Sequence, residues 1–279
     1  MSDRAPLVFR TIAAVVRTVP NNPKRFRALL SYRIAPHRIR GRMVVPVGGG
    51  VKLDLQLEDW LQRLYALGET DHERRAILRR FVPVGGTFID VGANVGLYTC
   101  SLAAHVGPGG RVLAFEPLPI NARALRSNVA LNRLTNVSVY EMALSRRAEE
   151  LELFAPAGHP GTRSNATSRE RDKSISLGPV HAAALDDIFE CPRLDGLKLD
   201  VEGHELEVLA GASGTLDRFR PVIQCEVIFE DVLEGLRSLA KDLDYRIYQE
   251  GRRGGLAPFD VSSSPSEAFL IPEGRTVAT

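Results

Sequence analysis

The sequence predicts an α/β protein, a doubly wound and mostly parallel sheet with helices on both faces. From Thr87 onward, short runs rich in Val, Ile, Leu and Phe alternate with segments of helical spacing, the pattern of parallel strands joined by crossover helices. The first of those runs, "TFIDV" (87–91), passes directly into a turn with glycines at 92 and 96 and then into a helix pattern. Hydrophobic residues make up 44% of the 279 positions and charged residues 25%, the composition of a globular chain with a substantial core.

The elements follow in order. "MVVPVGGGVKLDLQL" (43–57) alternates around a glycine-rich turn and predicts a hairpin. The next stretch, 58–82, has helical spacing with a break near Gly68. "TFIDV" leads to a helix over 95–105, "RVLAFE" (111–116) to a helix over 119–131, and "NVSVYEMA" (136–143) closes the first half as a strand. "GLKLDV" (196–201) precedes a helix over 203–212, "PVIQCEV" (221–227) one over 229–241, and "YRIYQE" (245–250) and "EAFLIP" (267–272) are further strands. Residues 155–179, rich in Gly, Pro, Ser and charge, read as an irregular insertion on the ligand side of the sheet and a candidate substrate lid. The domain organisation is therefore a basic extension (1–42), a hairpin and helical lead-in (43–86) and a main domain (87–279). No internal repeat is present.

The net charge of +2 conceals an asymmetry. Residues 1–42 carry ten Lys or Arg and one acid, a charge of +9 that leaves −7 for the remainder. Such a segment either meets anionic lipid as a peripheral membrane contact, meets an anionic part of a substrate, or is a solvated extension. No apolar run is long enough to span a bilayer. Cys100, Cys191 and Cys225 form no CxxC pair, and two of them, set in apolar strand or helix patterns, read as small core residues of a reducing compartment, so a cytoplasmic location is expected. A nucleic-acid partner is not expected, because the basic arm has few aromatics to stack on bases. A homo-oligomer is left open.

In an open α/β sheet, ligands bind beyond the carboxyl ends of the strands. Asp90, Gly92, Asn94 and Gly96 stand there as D-x-G-x-N-x-G. A dinucleotide turn is G-x-G-x-x-G, whose middle glycine lets backbone approach a pyrophosphate. With Asn94 in that place the turn survives, since Asn tolerates positive φ, but the clearance is lost. S-adenosylmethionine, a nucleoside without phosphate, fits better. Glu116 ends the second strand, where an acid accepts hydrogen bonds from ribose hydroxyls.

These stretches, "FIDVGANVGLYT" (88–99), "AFEPLPINARALRSNVALN" (114–132), "LKLDVEGHELEVLAGA" (197–212) and the closing "EAFLIP", resemble the FkbM-type S-adenosylmethionine-dependent methyltransferases over roughly residues 60–272. The resemblance implies a class I methyltransferase fold, a Rossmann-like seven-stranded sheet whose last strand is antiparallel. It also implies methyl transfer, usually to a hydroxyl on a sugar, glycolipid or polyketide-type molecule.

The acceptor side centres on "KLDVEGHE". Asp200 ends a strand beside the expected methyl position and counts as both a cofactor and a catalytic candidate. An alkyl hydroxyl must lose its proton to become a nucleophile, so the site needs a base or a cation. His204 is the candidate base, with His181 and His159 behind it. Alternatively, Asp200 and Glu226 hold magnesium through oxygen ligands. Glu205 and the Asp186–Asp187 pair read as helix caps. The competing function is an NAD-dependent oxidoreductase on the same kind of sheet.

Overall fold

A computed structural model describes residues 5–18, 39–156, 167–168, 174–251, 254–260 and 266–276. His159, most of the basic arm between 19 and 38, and most of the 155–179 insertion lie outside the described residues.

The chain begins with helix α1 (Leu7–Thr18) and a hairpin of β1 (Arg42–Gly48) and β2 (Val51–Gln56). In α1, Phe9, Ala13 and Val16 fall on one face at helical spacing, and together with Ala5 they are buried in the core. Leu7, Val8 and Val15 remain exposed. The described part of the arm is thus fastened to the body of the protein, and Ala5 N also donates to Arg42 O at 3.0 Å. The hairpin turns through Gly48, Gly49 and Gly50, all at positive φ, and buries Val45, Val47, Val51, Leu53 and Leu55.

Helices α2 (Trp60–Ala66) and α3 (His72–Phe81) follow, broken as expected around Gly68. Asp59 caps α2 by accepting from Gln62 N at 3.0 Å. Arg75 of α3 is only 1% exposed and spends its guanidinium on Thr70 O, Val47 O and Ser101 Oγ. A buried cation must be fully hydrogen-bonded, and here that requirement ties the lead-in helix to the hairpin and to the main domain.

The main domain then alternates: β3 (Thr87–Val91), α4 (Leu97–Val106), β4 (Arg111–Phe115), α5 (Pro119–Leu131), β5 (Val137–Tyr140) and β6 (Ala143–Leu144). Next come β7 (Glu149–Pro156), β8 (Ser174–Ala183), α6 (Leu185–Ile188), β9 (Gly196–Leu199), α7 (Glu205–Ala210) and α8 (Ser213–Phe219). The chain closes with β10 (Val222–Glu226), α9 (Glu230–Asp242), β11 (Tyr245–Glu250), β12 (Leu256–Pro258) and β13 (Glu267–Pro272).

The main sheet has the order β12-β11-β13-β10-β9-β3-β4-β5. β10, β9, β3, β4 and β5 run parallel to one another, and β13 runs antiparallel between β10 and β11. This is the expected class I arrangement with its last strand antiparallel, and eight strands rather than seven. The extra strand, β12, pairs at the edge through Glu250↔Leu256; three residues ending in proline carry no alternation from which to foresee it. The order reverses between β3 and β9, so a crevice opens at the carboxyl ends of those two strands.

Three boundaries differ from the sequence expectation. The single strand over 136–143 is two, because the chain leaves the main sheet after Tyr140 and β6 joins a second sheet ordered β6-β8-β7. Both ends of the supposedly irregular 155–179 stretch are strand, since β7 runs to Pro156 and β8 starts at Ser174. The helix over 203–212 is shorter and is followed by α8, because Glu202 and Gly203 both take positive φ and delay its start. Asn128 of α5, fully buried, ties the hairpin to the main domain by accepting from Asp54 N at 2.7 Å and donating to Val95 O at 2.9 Å.

If α1 is an integral part of the core, Phe9→Ala should destabilise the protein by about 3 kcal/mol. Urea denaturation checks this; a change within about 0.5 kcal/mol would mean that the helix is a dispensable appendage.

Candidate active site

The crevice is a cavity of about 310 Å³ whose wall includes Gly92, Asn94, Glu116, Asp200, Glu226 and His204. The sequence candidates therefore converge on one place. Asp90 lies just beneath, fully buried, accepting from Thr99 Oγ1 at 2.6 Å.

The turn after β3 is closed on itself. Gly92 N and Ala93 N both donate to Phe115 O at 3.0 Å, and Gly96 N donates to Ala93 O at 2.9 Å. Asn94, at φ 50°, points its backbone N–H to Glu116 Oε2 at 2.9 Å. Gly92 in this turn is required by space, and Gly96 by its positive φ, since the atom that its Cβ would meet is the end of a flexible side chain. A Cβ on Gly92 (φ +75°) would lie 1.9 Å from the Asp200 carbonyl oxygen, and one on Gly96 (φ +95°) would lie 2.5 Å from Leu125 Cδ1. The first contact is the closest approach of the two strand ends; the second seats α4 against α5.

Glu116 is 5% exposed. Its carboxylate accepts from Asn94 N, Leu118 N (3.1 Å) and Asn121 Nδ2 (3.2 Å). Burial pushes its pKa up to about 7, and these donors only partly offset that. One buried acceptor atom of the turn, Asn94 Oδ1, has no hydrogen-bond partner among the described residues; the buried Asp90 Oδ1 beneath it faces the Lys198 ammonium. Unsatisfied buried acceptors beside a cavity call for a donor-rich or cationic ligand.

Lys198, which the sequence reading did not single out, organises the crevice floor. Its ammonium donates to Gly92 O at 2.9 Å and pairs with Asp200 Oδ2 (3.2 Å) and Asp90 Oδ1 (3.5 Å). It also sits 5.2 Å from the Tyr98 ring centroid. Burial lowers its proton affinity, but Asp200 and Asp90 more than compensate and hold it above its ordinary value. The signal was available: a lysine inside an apolar strand, two residues before Asp200, shares a strand face with it.

The opposite wall is acidic. Asp200, Glu202 and Glu226 can bring one carboxylate oxygen each within 4.8 Å of one another. Burial first, and then the charges of Asp200, Glu202 and Glu267, push Glu226 well above the usual carboxylate range. Glu267 is raised to about 7 by burial, moderated by Arg74. Arg74 of α3 reaches Glu267 (3.0 Å), Glu250 (3.1 Å) and Asp71 (3.4 Å). Trp60, Leu61, Tyr65, Glu69, Asp71 and Arg74 bring the lead-in helices into the cavity wall, a contribution with no local motif.

His204 precedes α7 and faces the cavity. Nε2 lies 3.0 Å from Ser145 Oγ, and Nδ1 lies 2.9 Å from Ser168 Oγ. His181 is not brought to the site: it is exposed on β8, 3.7 Å from Glu150. Glu205 is structural as expected, accepting from Val201 N (3.2 Å) and Gly203 N (3.1 Å). Asp186 caps α8 through Gly214 N and Thr215 N, both at 2.8 Å.

Residues 90–247, more than half of the chain, match the family model described as the methyltransferase FkbM domain. The chain is 31% identical over 160 residues to methyltransferase sdnD of Sordaria araneosa, covering 47% of this chain and 61% of that protein. It is 28% identical over 187 residues to the hexuronic acid methyltransferase AglP of Haloferax volcanii, covering 66% of this chain and 74% of that protein. Among solved structures, it is similar to the methyltransferase FkbM of Methylobacillus flagellatus KT with a TM-score of 0.46 and 17% identity, covering 75% of this chain and 54% of that one.

Gly85 and Gly92 have nearly the same φ, +76° and +75°, but a Cβ on Gly85 meets nothing within 4 Å. Gly85→Ala should cost about 1–3 kcal/mol for its backbone conformation alone, whereas Gly92→Ala adds the collision with Asp200 and should cost more or prevent folding. Equal stabilities in parallel denaturation curves would refute the close approach.

Proposed function

This chain belongs to the FkbM methyltransferase domain family, and on that premise we propose that it is an S-adenosylmethionine-dependent O-methyltransferase. Its acceptor in this reading is a hydroxyl on a sugar, glycolipid or polyketide-type small molecule. The observation that carries the reading is the closed turn around Asn94 and Glu116, opening onto a wall that holds His204 and Asp200.

The residues present fit the cofactor. Glu116 is placed to accept ribose hydroxyls. Gly92 lets the turn close directly on the Asp200 carbonyl at the cavity wall, which no Cβ would allow. Asn94 Oδ1, buried on the cavity wall with no hydrogen-bond partner among the described residues, is an acceptor matched to a ligand rich in donors. When bound, S-adenosylmethionine supplies an electrophilic methyl group on its sulfonium. A pyrophosphate is poorly served by the same turn: Gly92, Ala93, Asn94 and Gly96 all spend their N–H groups internally. That argues against the NAD-dependent alternative.

On the acceptor side, His204 takes the hydroxyl proton and Asp200 orients that hydroxyl. The surrounding charge narrows the acceptor. Asp71, Asp200, Glu202, Glu226 and Glu267 line the cavity against Arg74 and Lys198, both already ion-paired. An anionic reacting group brought beside Asp200 and Glu202 would be repelled, so in this reading the reacting end is a neutral hydroxyl, whatever charge the rest of the acceptor carries. The similarity to a hexuronic acid methyltransferase supports a sugar. The second reading, in which Asp200, Glu202 and Glu226 hold magnesium that stabilises the alkoxide, draws on the spacing of their oxygens.

Transfer of labelled methyl from S-adenosylmethionine to a panel of neutral hydroxylated sugars, glycolipids and polyketides tests the proposal. Glu116→Ala should weaken cofactor binding by about 1.5–3 kcal/mol. His204→Ala and Asp200→Asn should leave that affinity in place and lower turnover by about 10²–10⁴-fold. Full activity of His204→Ala together with loss of activity on chelation would select the magnesium reading. No transfer to any member of the panel, with the cofactor bound, would remove the acceptor assignment.

A further inference from the structure

His204 is held by a directional chain of hydrogen bonds that enters from the second sheet. Ser145 Oγ lies 3.0 Å from His204 Nε2 and donates its own proton to Glu149 Oε1 at 2.6 Å. A hydroxyl has one proton to give, and a carboxylate can only accept. With that proton committed to Glu149, Ser145 can only accept from the ring, so Nε2 carries the hydrogen. The neutral imidazole then has its lone pair on Nδ1, which is the atom that Ser168 approaches at 2.9 Å.

We propose that Ser145 and Glu149 are positioning residues that fix the tautomer of His204, making Nδ1 its basic atom, and that Ser168 marks the place on Nδ1 taken by the acceptor hydroxyl. The inference rests on the reading of His204 as the base. The logic is that of a carboxylate orienting a catalytic imidazole, with a serine interposed.

Each link is anchored independently of His204. Ser145 is fully buried, and its N–H donates to Ala183 O at 2.9 Å. A Cβ on Gly211 would lie 2.0 Å from Ser145 O, so the segment after β6 lies directly on the end of α7. Arg146 pairs with Glu207 of α7 at 2.9 Å, which clamps the same contact from the surface. Glu149 starts β7 opposite Ala182, with Arg147 at 3.8 Å. On the other side of the ring, Thr167 forms a two-way backbone bridge with Phe154 and gives its hydroxyl to Glu202 O at 2.6 Å. This holds the adjacent Ser168 at the cavity wall. When an acceptor hydroxyl replaces that of Ser168, its proton passes to Nδ1 while Nε2–H stays on Ser145. The imidazolium so formed faces Glu149 through one hydroxyl.

The test is a nitrogen-detected NMR measurement of the histidine ring on the full chain, with His204→Gln used to assign the signal. The wild type should show the Nε2–H tautomer. Glu149→Ala frees the Ser145 proton to point at Nε2, and should shift the ring toward Nδ1–H and lower kcat on the order of 10²-fold at unchanged cofactor affinity. Glu149→Gln keeps a carbonyl acceptor for Ser145 and should retain both tautomer and most of the rate. Ser145→Ala should likewise lose the Nε2–H preference. An unchanged tautomer in both alanine variants overturns the proposal. A changed tautomer with unchanged turnover keeps the positioning role and refutes His204 as the base, so the two failures are told apart.

Discussion

Lys198 bridges the two strand ends between which the cavity opens. Its ammonium is 5% exposed, and no such charge is tolerated unless it is paired and hydrogen-bonded. Its partners are Asp90 on β3, the Gly92 carbonyl in the turn, and Asp200 at the end of β9. The parallel ladder of β3 and β9, carried on by Asp200 N to Val91 O at 3.2 Å, sets the distance between the strand ends; Lys198 fixes the Gly92 turn and the Asp200 side chain on it, and the missing Cβ of Gly92 leaves room for that contact. The closed turn, its link to Glu116, and the position of Asp200 all depend on that spacing.

Around this clamp the protein separates two environments within one cavity. The turn side presents acceptors: the Glu116 carboxylate and the side-chain oxygen of Asn94. The far side crowds carboxylates, and burial together with their charges raises the pKa of Glu226 well above the usual carboxylate range. Arg74 keeps that crowding tolerable by pairing with Glu267 and Glu250. Because Arg74 lies on α3, the lead-in segment is part of the electrostatics of the site. Among the described residues no helix is long and apolar enough to cross a membrane, and the buried face of α1 belongs to the core.

The legible parts of the sequence were those with local causes. A strand that ends in an acid and runs into D-x-G-x-N-x-G announces its turn, because only certain residues tolerate positive φ there. Glu116 was readable for a similar reason, as the acid closing the second strand. Lys198 shows a weaker but usable signal, a charge in an apolar strand. Arg74 carried none, since its partners Glu250 and Glu267 lie more than 170 residues away in the chain. Ser145 and Ser168 are likewise ordinary serines until the second sheet brings them to either side of His204. β8, SISLGPVHAA, was hidden because Ser, Gly and Pro interrupt the alternation that marks a strand, whereas β7, EELELFAP, does alternate and lacked only a visible partner; the two shift register between Leu153 and Phe154.

Calorimetric titration of the full chain with S-adenosylhomocysteine and, separately, with NAD is the most direct test of this account. The geometry of the turn predicts saturable binding of one S-adenosylhomocysteine per chain and no binding of NAD. Saturable binding of NAD, or no binding of S-adenosylhomocysteine by the folded protein, would contradict it.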